Sequence, residues 1–239
     1  HIVLYIFSGL TLITVLISLF APAVGNFEKD LVAKGLSQAQ TKMKLTRTNA
    51  ENSQATSFGV NKGVVILGDS VALRSKDQIE SSIDNVAIDA VVSRNLSTIN
   101  DLLKDYADSN ALAKDVVIAG GVNEIDDYKG VINKMIKNLP KGHHIIFVTP
   151  YNGSKSGSKA VSLVQLRKYE LEMAKKYDFV TVADWYQVAK ENISIWNGTD
   201  GVHFGSDSDS INRGAKLYTN TIKEAIAKAN QKPVKGGKK

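Results

Sequence analysis

Gly63-Val64-Val65-Ile66-Leu67-Gly68-Asp69-Ser70 sets an apolar run against a glycine and two small polar residues that break it. Val and Ile branch at Cβ and favour pleated backbone. A short apolar run bounded by glycines has the length of a strand buried on both faces. The pattern returns at Val86–Val92, Val116–Ala119, Ile145–Val148 and Phe179–Ala183. Between these runs, Val71–Ser82, Leu96–Ala107, Tyr128–Leu139 and Val161–Tyr177 are long enough for crossover helices, and Ile211–Ala229 closes the series. Buried strands alternating with helices predict an α/β domain, a five-stranded parallel sheet with helices on both faces. Ligands of such sheets bind beyond the carboxyl ends of the strands. The residues that follow each strand therefore carry the functional reading.

After the first strand, Ser70 stands at a strand-to-helix turn, where a hydroxyl is exposed and a backbone N–H faces developing negative charge. The plain alternative is helix capping, which Ser and Asp favour at this junction. Ala72 replaces the last glycine of G-x-S-x-G, so this is not the nucleophile elbow of that hydrolase class. Ser93-Arg94-Asn95 follows the second strand and Gly120-Gly121-Val122-Asn123 the third. Glycines there allow close backbone approach, and the Asn123 amide can donate to an oxyanion; turn chemistry explains both stretches equally well. Neither dinucleotide nor P-loop phosphate fingerprints occur.

A serine nucleophile needs a base, and the base needs a carboxylate to orient it. His143 and His144 precede the fourth strand, at the amino edge of the sheet, and His1 lies far upstream. That leaves His203, three residues after Asp200, with a loop histidine as the alternative. A metal site on Asp200 and His203 finds no further ligands at a persuasive spacing, and no cofactor or metal is expected. The chain has no cysteine, which excludes disulfides, thiolate metal sites and a cysteine nucleophile.

The 239 residues carry a net charge of +6, but five lysines in the last twelve residues leave only +1 elsewhere. The basic character belongs to a tail at 231–239, predicted to be disordered, and is no nucleic-acid footprint. Ile2–Phe27 contains no charged residue and is strongly apolar to Val24. About 20 such residues cross a hydrocarbon core of roughly 30 Å. Residues 1–26 therefore read as a transmembrane helix, the last span of a truncated membrane domain, with a signal peptide or a buried core helix as the alternatives. Residues 27–62 read as a polar stalk with a reach of about 33 Å if coil-like, and 63–230 as the folded domain.

Taken together, Gly68-Asp69-Ser70, the polar turns after the second and third strands, and Asp200-Gly201-Val202-His203 ahead of the last helix resemble the SGNH, or GDSL-like, hydrolase superfamily. The resemblance covers Gly63 to Ala229, about seven-tenths of the chain, and implies a flavodoxin-like sheet. A domain of this kind behind an apolar span looks like the C-terminal part of peptidoglycan O-acetyltransferases of the OatA type. In that family an upstream acyltransferase-3 membrane domain carries acetyl groups across the membrane. The SGNH domain, on the extracellular side of the cell membrane, places them on the C6 hydroxyl of N-acetylmuramic acid.

The resemblance implies Ser70 as nucleophile, His203 as base, Asp200 as its orienting group, and the Ser70 and Ser93 N–H groups with the Asn123 amide as oxyanion hole. Two positions depart from the family. Ser93 replaces a usual glycine, and Phe204 with a Ser/Asp-rich stretch replaces a shorter connection. The other readings are a membrane-tethered carbohydrate or lipid esterase and a non-catalytic wall-binding module whose basic tail holds anionic polymer.

Overall fold

Each apolar run forms a strand because its alternate side chains can be buried on both sides of one sheet. In the computed structural model, which describes residues 40–41, 58–123, 126–154 and 157–237, the strands are β1 (Val64–Gly68), β2 (Val86–Ala90), β3 (Asp115–Ala119), β4 (His144–Val148) and β5 (Val180–Ala183). All pairings are parallel, in the order β2-β1-β3-β4-β5. Gly68 is in register with Ala90 on one side and Ala119 on the other, so β2, β1 and β3 end flush at the carboxyl edge. The two units of the chain are 1–41 and 42–239; the sheet belongs to the second.

The helices are α1 (Ser70–Arg74), α2 (Lys76–Ser82), α3 (Leu96–Asp108), α4 (Tyr128–Asn138), α5 (Gly157–Lys176), α6 (Trp185–Glu191) and α7 (Ser208–Ala229), with a 3₁₀ turn at Ile193–Trp196. Period-two alternation divides the core. Val64 and Ile66 point to the face covered by α1, α2 and α7, where Ile79, Tyr218 and Ile222 pack. Val65 and Leu67 point to the face covered by α3, α4 and α5, where Leu103, Met135 and Leu166 pack. The arrangement is the five-stranded parallel sheet with two helical faces that the sequence predicts.

Three local expectations are corrected. The helix predicted over Val71–Ser82 breaks at Ser75, whose Oγ and N–H both turn back to the Val71 carbonyl. Hydroxyl groups that bond the preceding turn bend helices in this way. The domain also starts earlier than Gly63: the Asn61 carbonyl accepts from Lys114 N, and Val60 is buried, so the stalk gives way to the domain by residue 58. The tail predicted to be disordered is docked as far as residue 237. Lys235 exchanges backbone hydrogen bonds with Gly142 and His143, and its ammonium reaches the Ile136, Lys137 and Leu139 carbonyls at the end of α4. A cation there meets the unpaired carbonyls and negative pole of a helix C-terminus.

The predicted transmembrane helix, most of the stalk and residues 238–239 lie outside the described residues. Among the described residues, no helix is long and apolar enough to cross a membrane.

Candidate active site

The chain leaves β1 through Gly68, where a Cβ would come within 2.5 Å of the Ala72 Cβ, and α1 begins two residues later. Only glycine allows so abrupt a turn from strand to helix. Asp69 takes the capping role: its Oδ1 accepts from Val71 N at 2.9 Å. Ser70, the first helical residue, is thereby left with its hydroxyl directed elsewhere. Burial pushes the Asp69 carboxyl up to about 6, against the opposing pull of the Val71 and Ala72 N–H groups and the positive charge of Arg94.

Asp200 folds the loop after the 3₁₀ turn around its own carboxylate. Oδ1 accepts from the backbone of Val202 at 2.9 Å and His203 at 2.7 Å, and Oδ2 pairs with His203 Nδ1 at 2.7 Å. Partial burial raises the Asp200 carboxyl, but these bonds outweigh it and hold the group down to about 2. An ionised carboxylate can only accept, so His203 Nδ1 carries the proton and the Nε2 lone pair faces outward. Nε2 lies 2.8 Å from Ser70 Oγ. The hydroxyl of Ser70 therefore donates to a base whose tautomer is set by Asp200. Residues 133 positions apart in sequence form one relay.

Two features hold the histidine loop. Gly201 adopts a positive φ of +80°, and a Cβ there would meet Ser154 N at 2.6 Å, so only glycine lets this loop lie against the segment after β4. Arg74, at the far end of the helix that Ser70 begins, donates through Nε to the Phe204 carbonyl and through Nη2 to the Gly205 carbonyl, both at 2.7 Å. The helix that Ser70 begins thus clamps the loop that carries His203. Phe204 is fully buried beside Trp185 and Tyr218. The Ser/Asp-rich stretch after it supplies the start of α7, where Asp207 and Ser210 form a reciprocal capping box.

The turns after β2 and β3 meet at Arg94, which also reaches the end of β1. Ser93 has a left-handed φ of +58°, and Asn123 Nδ2 donates to the Arg94 carbonyl at 3.3 Å. Arg94 is buried, bound to Asp89 and to the Gly68 carbonyl. Neither role is recognisable from sequence, because the Phe204 and Gly205 carbonyls that Arg74 holds and the Gly68 carbonyl that Arg94 holds come from distant segments. His143 and His144 sit at the amino edge, as predicted, bound to Ala113 and Asp115. His1 is outside the described residues.

The site is open. The side chains of His203 and Asp200 are 36% and 57% exposed, so a bulky partner can approach the relay. The groove between the N-terminal ends of α3 and α4, lined by Asn95, Ser97, Asp127 and Lys134 among others, contains no member of the relay.

No family model matches the chain. It is 44% identical to the C-terminal catalytic domain of Streptococcus pneumoniae peptidoglycan O-acetyltransferase A (OatA), solved with a methylsulfonyl adduct. That match has a TM-score of 0.72 and covers 74% of this chain and 98% of the solved one. A member of the lipolytic G-D-S-L family from Veillonella parvula shares the fold at 15% identity and a TM-score of 0.55, over 70% of this chain and 98% of its own. The Bacillus subtilis (strain 168) protein YrhL, named for a peptidoglycan O-acetyltransferase activity, is 28% identical over 165 residues. Those residues are 69% of this chain, and the chain spans 24% of that relative's length. With the Ser70, His203 and Asp200 geometry set in an SGNH-like sheet, the chain belongs to the family of OatA C-terminal catalytic domains.

Proposed function

We propose that the domain is a serine-dependent O-acetyltransferase of the cell surface, which moves an acetyl group through acetyl-Ser70 onto the C6 hydroxyl of N-acetylmuramic acid in peptidoglycan. The observation that carries this reading is the unbroken relay from Asp200 through His203 to the Ser70 hydroxyl at 2.7 and 2.8 Å. Ser70 Oγ attacks the acetyl carbonyl while its proton passes to His203 Nε2. Negative charge on the carbonyl oxygen is held by the Ser70 and Ser93 N–H groups and the Asn123 amide. Collapse of the tetrahedral intermediate expels the donor's alkoxide, which takes the proton from His203. The sugar hydroxyl then attacks acetyl-Ser70, gives its proton to His203, and leaves as the ester when Ser70 is released and reprotonated.

The family relationship supports peptidoglycan as acceptor, and the open rim suits a polymer strand. In the whole protein, residues 1–26 anchor the chain in the membrane, residues 27–57 form the stalk, and an acyltransferase-3 membrane domain ahead of them supplies the acetyl group to the extracellular side. An esterase is the second reading, because the same rim admits water and the lipolytic proteins share the fold. The wall-binding reading loses support from the tail, where Lys232 and Lys235 are engaged by backbone carbonyls of the domain itself.

The test supplies p-nitrophenyl acetate with and without a muropeptide acceptor and analyses the products by mass spectrometry. Acetylated muramic acid is the expected product, and its absence alongside free acetate would reassign the protein as an esterase. Ser70→Ala removes both products; turnover at the wild-type rate in that variant overturns the mechanism.

A further inference from the structure

Resting on this acyl-transfer reading, we propose that Arg94 is the positioning residue that assembles the oxyanion hole, joining the ends of three strands without touching the acyl group. Its side chain is 5% exposed beneath the carboxyl edge of the sheet. Nη1 donates to the Gly68 carbonyl at 3.2 Å and to the Asp89 carbonyl at 2.7 Å, and Nη2 to Asp89 Oδ1 at 2.9 Å. The other carboxylate oxygen of Asp89 accepts from the Tyr106 hydroxyl at 3.0 Å, which fixes the counter-ion in turn. Gly68 lies two residues before Ser70, so the guanidinium holds the turn that presents the Ser70 N–H.

On its other side Arg94 acts through its backbone. Its carbonyl accepts from Asn123 Nδ2 at 3.3 Å. This engages one of the two carboxamide protons and orients the other. The residue before it, Ser93, occupies φ +58°, a conformation that a residue with a Cβ resists. Such a backbone persists only where its surroundings over-determine it. The buried fork of Arg94, anchored to β1 and β2, is the immediate neighbour that can do so. Lysine offers one ammonium in place of a planar fork and cannot serve all of these acceptors with the same geometry. All three donors, from the turns after β1, β2 and β3, thus converge on one residue, Asn123 through its carbonyl and the other two through its guanidinium.

A purely structural ion pair would make a different prediction, and normalising to active serine separates the two. In the whole chain, Arg94→Lys and Tyr106→Phe are titrated with methanesulfonyl fluoride, and p-nitrophenyl acetate turnover is then measured per titrated serine across pH. Arg94→Lys is expected to lower kcat per serine by about 10- to 100-fold, with KM and the pH of half-maximal rate unchanged, because His203 and Asp200 are untouched. Adding Ser93→Gly to Arg94→Lys recovers part of the loss, since glycine accepts the left-handed backbone unaided. Tyr106→Phe gives a smaller loss of the same kind and decides the matter should Arg94→Lys fail to fold. Loss of titratable serine with kcat per serine unchanged in the folded variants overturns the proposal. A wild-type protein that resists titration altogether overturns the acyl-serine reading itself.

Discussion

Two histidine–aspartate pairs, one at each edge of the sheet, have the same 2.7 Å separation and opposite characters. At the amino edge His144 Nδ1 meets Asp115 Oδ1, with both side chains almost fully buried. At the carboxyl edge His203 Nδ1 meets Asp200 Oδ2 in an open rim. The second nitrogen separates them. His203 Nε2 faces a hydroxyl that has a proton to give. His144 Nε2 faces the Lys232 carbonyl at 3.0 Å, which can only accept. Both nitrogens of His144 therefore meet protein oxygens, and the ring staples the C-terminal segment to β3. An aspartate beside a histidine is no sign of catalysis; what lies across the ring decides.

The sharpest way to break this contrast is to damage each pair in turn. Asp200→Asn should lower kcat by about 10⁴-fold through loss of the required tautomer and of imidazolium stabilisation, with thermal stability almost unchanged because the rim is open. His144→Gln should do the reverse. Leaving one oxygen of the buried Asp115 carboxyl without its hydrogen bond, the other still held by Asn230, costs about 2 kcal/mol in chemical denaturation, while turnover per folded molecule stays at the wild-type value. Equal effects of the two variants on activity would erase the distinction.

Asn123→Ala should reduce kcat by about 10²–10³-fold in a protein that unfolds at the wild-type denaturant midpoint. A carboxamide whose one bonded partner among the described residues is a backbone carbonyl at 3.3 Å adds little to the fold. A shifted midpoint with normal kcat would make Asn123 a turn residue, as its position after the glycines also allows.

The smallest effect concerns Asp69. Its carboxyl keeps its proton to about pH 6 in the folded protein, against an ordinary value of 3.8. Between those values the folded state binds more protons than the unfolded one, so stability falls as pH rises through the window, by about 3 kcal/mol in all. Asp69→Asn retains the acceptor for Val71 N and should remove that slope, measured as the wild-type minus variant difference in unfolding free energy from pH 4 to 7. The subtraction matters because burial also raises the carboxyl of Glu170, which contributes a slope of the same sign. Asp200, held down to about 2, titrates below the window. A difference that does not change with pH would place the Asp69 proton elsewhere.

The strands and the Asp200–His203 pair were legible because each rests on local pattern, whereas Ser70 is 133 positions from His203 and was placed by its position after the first strand. Val64–Leu67 announces itself by composition, and Asp200 reaches His203 across three residues. The arginines were not, since Arg74 binds carbonyls 130 and 131 positions away and Arg94 one that is 26 away. A backbone carbonyl leaves no mark in a sequence. The seven-residue α6 was missed because it is too short to show helical periodicity, and only Trp185 and Ala189 of it are buried. The tail was misread because four lysines in a polar stretch look solvated. One of them instead closes the end of α4.

The docking of residues 58–61 and 231–237 at the amino edge has a practical corollary. Anything coupled at residue 58 or residue 237, a bead or a fluorophore, is attached on the side opposite Ser70. Held through either of these positions, the domain should present Ser70 to an insoluble glycan sheet, as a stamp held by its handle does.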